Sequence, residues 1–78
     1  MTLRVEFTVE PFVEGSPGPH VDAAVAAARE HGLEVDFGPF GTTIEGDDSA
    51  VLAAIDAVVR AAMSTGASRV SVQVSRAG

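Results

Sequence analysis

The residue types that could do chemistry are concentrated in one run, Phe37-Gly38-Pro39-Phe40-Gly41-Thr42-Thr43-Ile44-Glu45-Gly46. Neither a strand nor a helix calls for two glycines, a proline and an aromatic ring packed into four positions. Gly38 and Gly41 permit positive φ or the close approach of another backbone, and Pro39 sets φ within the turn. The hydroxyls of Thr42 and Thr43 and the carboxylate of Glu45 follow at once. Such a tip suits gripping a small ligand, and it equally suits a stiff hairpin with no ligand. A second group lies upstream, where Glu10 and Pro11 lead into Phe12-Val13-Glu14-Gly15-Ser16-Pro17-Gly18-Pro19. There Phe12 offers a ring and Ser16 a hydroxyl.

Other chemistries are poorly served. The basic residues number 5, all of them arginine, so a Schiff-base or phosphate-loop lysine is ruled out. The absence of cysteine removes disulfides, thiolate metal sites and Cys nucleophiles. The only histidines, His20 and His31, fall near opposite ends of one expected helix, about 16 Å apart along its axis, and cannot chelate together. Asp47-Asp48 reads better as a helix cap than as a cation site, and Glu45 does not complete a calcium loop. No serine sits in a glycine-flanked nucleophile elbow. An acylphosphatase-like reading wants an arginine in residues 11–19, and there is none. No catalytic residue and no metal ligand is expected, nor a cofactor.

The formal charge of −6 repels a phosphate backbone and favours a neutral or cationic small molecule, so nucleic acid is not an expected partner. A chain of 78 residues makes a single domain, 1–78, with a small core for which self-association is a natural support. No apolar run reaches the length of a membrane span, about 18 residues. The start, Met1-Thr2-Leu3-Arg4-Val5-Glu6, alternates like a strand and lacks the apolar block of a secretion signal. A cytoplasmic location is the expectation.

The elements that position these residues follow from periodicity. Leu3, Val5, Phe7 and Val9 alternate with Arg4, Glu6, Thr8 and Glu10 in a first strand that Pro11 ends. A helix is predicted over residues 19–31, with Pro19 at its start, Gly32 at its stop and a stripe of Val21, Ala24, Val25 and Ala28. Leu33, Val35 and Phe37 form the inward set of a second strand, and Thr42 and Ile44 that of a third. Residues 46–49 supply an N-cap for a second helix whose apolar stripe is Val51, Leu52, Ile55, Val58, Val59 and Ala62, closed by Gly66. Val70, Val72 and Val74 alternate in a last strand.

The order β-α-β-β-α-β predicts an α+β ferredoxin-like sandwich: a four-stranded antiparallel sheet with both helices on one face. The other face carries Glu6, Glu10, Glu34, Asp36 and Glu45 against Arg4 and Arg69. It can stay wet or meet a second copy. The RNA-binding variant of this fold wants aromatics there and finds none on the first and third strands. In the strand order 4-1-3-2, residues 11–19, 38–41 and 64–68 share one edge. The end of the first strand (Val9, Glu10) should then face the start of the third (Thr42, Thr43). Phe12, Ser16, Phe40, Thr42 and Thr43 are thereby expected to converge.

With these residues in view, the chain resembles the thiamine-binding protein family, small ferredoxin-like proteins formerly grouped as a domain of unknown function. The resemblance is carried by Val5-Glu6-Phe7-Thr8-Val9-Glu10-Pro11, by residues 37–46, and by Gly66-Ala67-Ser68-Arg69-Val70. It implies non-enzymatic binding of thiamine or its hydroxymethylpyrimidine moiety, as carrier, buffer or sensor, in a homo-oligomer, dimer or tetramer. It also implies a second serine two positions after Ser16, where this chain has Gly18, and a charged tail beyond residue 78.

Such a ligand asks for a flat apolar slab, a few hydrogen-bonding groups and a counter-charge. Phe12 and Phe40 can supply the slab and a cation–π contact, and Ser16, Thr42 and Thr43 hydrogen bonds to the ring. Glu10 or Glu45 can balance the charge, and Gly41 lets the ligand approach the backbone. The rival expectation is an oligomeric regulatory or structural module resembling a free-standing amino-acid-sensing domain. In that reading Phe12 and Phe40 are buried between subunits.

Overall fold

A computed structural model of the chain describes residues 1–11, 18–38 and 41–77. Its elements are β1 (Thr2–Glu10), α1 (Pro19–Glu30), β2 (Val35–Gly38), β3 (Gly41–Asp47), α2 (Asp48–Ser64) and β4 (Arg69–Arg76). The sheet order is β2-β3-β1-β4, with every neighbouring pair antiparallel, which is the ferredoxin-like arrangement the alternation predicts.

The inward residues of β1 are buried one by one: Leu3, Val5, Phe7 and Val9. They meet Ile44 of β3 and the helix residues Val21, Ala24, Ala28, Val51, Ala54, Val58 and Ala62. The alanines matter because a methyl group lets each helix lie close on the sheet and on its neighbour. Each helix also ends on its expected glycine. Gly32 has φ +73° after α1, and Gly66 has φ +107° after α2. Beyond Gly66, the Ala67 N–H returns to the Ala62 carbonyl at 3.0 Å, a Schellman closure.

Several expected positions are corrected. The buried stripe of α2 runs Val51, Ala54, Val58 and Ala62, whereas Leu52 and Val59 face outward at 52% and 36% exposure. Each lies one residue past a buried position, and a step of about 100° around the axis carries it off the core side. The helix α1 ends at Glu30, with His31 as its C-cap. Asp47 holds the N-cap position of α2 without a side-chain bond; instead the Asp48 carboxylate accepts the Ser49 N–H at 3.0 Å. The strand β2 starts at Val35, and Leu33 packs on the core from before it. A side chain at Gly46 would lie 2.8 Å from Leu33 Cδ2, so that glycine makes room for the leucine. Phe37 and Val74, inward by alternation, remain exposed at 43% and 50% on the two edge strands.

Candidate functional site

The end of the sheet that carries Gly38 and Gly41 is where concave surface appears. The two glycines pair across the β2–β3 hairpin. Gly41 has φ +156°, and a Cβ there would lie 3.2 Å from the Phe7 carbonyl oxygen and 3.3 Å from Thr8 Cγ2. The position is closed to larger residues because β1 passes so near it.

Register sets which residues meet. Phe7 pairs with Thr42 and Glu6 with Thr43, so the third strand is displaced by two or more residues from the expected pairing with Val9 and Glu10. Glu10 instead pairs with Arg69 of β4. Its carboxylate accepts from Arg69 Nε at 2.9 Å and Nη2 at 3.4 Å, while its carbonyl accepts from the Ser68 N–H at 2.7 Å. This arrangement fixes the end of β1 and answers part of the charge on Glu10.

Two clefts flank the glycine pair. The smaller, of about 180 Å³, lies between the sheet and α1. Phe7, Val9, Val21, Val25 and Phe37 are its apolar lining residues, and Thr8, Glu10 and Thr42 its polar ones. The broader depression, about 680 Å³, is on the open face of the sheet and carries Glu6, Thr8, Asp36, Thr43, Ser71 and Gln73. Asp36, Thr43, Glu6 and Gln73 form a single cross-strand row, because Asp36 and Glu6 both pair with Thr43 and Glu6 also pairs with Gln73.

The structure thus brings Glu10, Gly41 and Thr42 together on the small cleft and places Thr43 on the opposite face of the sheet, with Gly41 lining both. Glu45 lies further along β3, across from Arg4, and is not among the described residues of either cleft. Phe12, Ser16 and Phe40 lie outside the described residues. Sequence reasoning did not single out Val21, Val25 and Phe37 as cleft walls, nor Glu6 and Asp36 as flanking Thr43. The apolar three read as core, and the acidic pair shares one row only through the register of three strands.

Gly18, which stands where the resemblance implies a serine, has a local reason. A Cβ there would lie 2.5 Å from Cε1 and 2.9 Å from Nδ1 of His20. His20 is 9% exposed, and its Nε2–H donates to the Pro11 carbonyl. The imidazole therefore fills the space a serine side chain would need. Among the described residues, no three His, Cys, Asp or Glu side chains are grouped to hold a metal ion. No described helix is long and apolar enough to cross a membrane.

Comparison with known proteins agrees with this architecture. A structure from Streptococcus pneumoniae is similar at TM-score 0.74 and 21% identity, over 96% of this chain and 83% of that one. A domain of unknown function, DUF77, from Bacillus cereus is similar at TM-score 0.70 and 23% identity, over 95% and 72%. A candidate thiamine biosynthesis/salvage protein from Thermotoga maritima is similar at TM-score 0.69 and 25% identity, over 96% and 81%. No curated protein matches the sequence. The thiamine-binding protein family matches residues 5–76, nearly the whole chain, and the chain belongs to that family.

Proposed function

We propose that this protein binds thiamine or its hydroxymethylpyrimidine moiety without transforming it, as a cytoplasmic carrier, buffer or sensor. The observation that carries this reading is the cleft of about 180 Å³ beside Gly38 and Gly41, lined mostly by apolar residues with Thr8, Glu10 and Thr42 among its polar ones. An apolar cavity of about 150 Å³ takes one benzene ring, so this cleft has the size of a single substituted six-membered ring. The polar groups are few and fixed, as orientation of a heterocycle requires. Ligand contacts are assigned to Glu10, Gly41, Thr42 and Thr43. Phe12, Ser16, Phe40 and Glu45 are kept in the proposed set on the strength of the resemblance.

A homo-oligomer is part of the same proposal. Leu52, Val59 and Met63 leave an apolar stripe on α2, and β4 offers an open edge. The test is isothermal titration with hydroxymethylpyrimidine and with thiamine, beside thermal unfolding. Ligand at about 100 times its Kd should add about 2.7 kcal/mol of stability, an upward shift of more than 10 °C for a domain this size. No heat and no shift up to millimolar ligand would refute the reading and leave the assembly module in its place.

A further inference from the structure

We propose that two copies of the chain join along β4, strand to strand about a two-fold axis, in the register that sets Val72 opposite its counterpart. This gives the homo-oligomer above a named surface and does not depend on the ligand. Among the described residues, β4 ends the sheet order β2-β3-β1-β4, so the backbone groups on its outer side have no strand to pair with. Two hydrogen bonds identify those groups. The Ala77 N–H donates to the Thr2 carbonyl, one step beyond the Leu3–Arg76 pair. Bonding alternates along an antiparallel ladder, so Arg69, Ser71, Gln73 and Ser75 turn their N–H and C=O toward β1. Val70, Val72, Val74 and Arg76 turn theirs outward. The bond from the Asp48 N–H to the Met1 carbonyl sets the same alternation from the other side: odd residues of β1 bond to β3, and even ones to β4.

The same edge is apolar on its helix side. Val70 and Val72 are half-buried there and Val74 is exposed. α2 packs over β1, β3 and β4, and α1 over β1 and β2. Ala54, Ala57 and Ala61, buried or half-buried, form the flank of α2 toward α1, so Leu52, Val59 and Met63 form the flank toward β4. Among the described residues, four of the six exposed large hydrophobics thus gather on one side of the molecule. Charge favours this edge over the other. β4 alone among the strands carries no carboxylate, whereas the opposite edge strand, β2, is four residues long and holds Asp36 in a chain of net charge −6. Self-pairing suits the unpaired row. With Val72 on the axis, Val70 stands opposite the partner's Val74, Ser71 opposite the partner's Gln73 and Arg69 opposite the partner's Ser75. A slide of two residues, the smallest that keeps the bonds matched, sets a valine against the partner's Arg76 or the partner's Ser68. The axis is perpendicular to the sheet, so both helix layers stay on one side and the two α2 flanks close over the valine row.

The experiment follows the intact protein and two variants, Val74→Pro and Val74→Lys, by sedimentation and by amide hydrogen exchange. The Val74 N–H points outward, so proline removes no bond to β1 while blocking a partner strand. Lysine is the milder change, guarding the edge by charge. The parent should sediment as a dimer or tetramer, and each variant should fall to half the subunit number or less while circular dichroism shows it folded. In the parent, the amides of Val70, Val72 and Val74 should exchange about 10-fold or more slowly than in a sample diluted to monomer. Those of Ser71 and Gln73 should be protected at both concentrations. A monomeric parent would overturn the inference and leave the edge to a strand of another protein. An assembly whose Val70, Val72 and Val74 amides exchange freely would overturn it in favour of a different surface, as would variants that keep the parent's subunit number. Titration with thiamine separates this inference from the ligand reading: no heat from a dimer joined at β4 would overturn the ligand reading alone.

Discussion

Replacing Gly18 with serine pits a gain against a clash, and the structure says which should win. Gly18 is the N-cap of α1, with φ −81° and ψ 176°, a conformation serine adopts freely. Serine is a better N-cap than glycine by a few tenths of a kcal/mol. Its Cβ, however, would sit 2.5 Å from His20 Cε1. The imidazole has to leave its buried position and release the Pro11 carbonyl. Losing that hydrogen bond costs about 0.5–1.5 kcal/mol, and crowding a packed site costs a similar amount or more. Gly18→Ser should therefore be destabilising by about 1–3 kcal/mol, a fall in Tm of roughly 5–20 °C. Against a His20→Ala background the same change should be neutral or slightly stabilising, because the cap gain remains and the ring is gone. Urea unfolding of the parent, both single variants and the double variant gives the coupling directly. If the serine costs the same with and without His20, the ring is not what excludes it.

Two further outcomes follow from packing. Val58→Ala should cost about 1–3 kcal/mol by opening a void against a fully buried side chain, while Val59→Ala next to it should stay within about 0.5 kcal/mol; equal urea midpoints would contradict the orientation of α2. Gly41→Ala should destabilise by about 1–3 kcal/mol and weaken ligand binding, since its methyl presses on Phe7 and Thr8; unchanged Tm and Kd would refute the close approach.

Much of the architecture was legible because alternation is a strong signal. Leu3, Val5, Phe7 and Val9 announce a half-buried strand, and two glycine-stopped apolar stripes between such strands leave few topologies. Leu52 and Val59 misled because a hydrophobic side chain on a helix does not say which neighbour covers it. The run around Gly38 and Gly41 pointed to the end of the sheet where the clefts lie, since glycines there allow a positive φ or a close approach, and Gly41 has both. The acidic partners of that end stayed hidden. Glu6 and Asp36 are far apart in the chain and come to flank Thr43 only once both strands are paired with it.

The far end of the sandwich carries a practical consequence. There the Met1 carbonyl accepts the Asp48 N–H at 2.9 Å and the Thr2 carbonyl accepts the Ala77 N–H at 3.0 Å. Thr2 and Ala77 are thereby fastened together, with Met1 tied to the start of α2, at the pole remote from both clefts. Tethering the protein to a sensor chip through either of these residues should leave the ligand-facing pole turned toward the flowing solution.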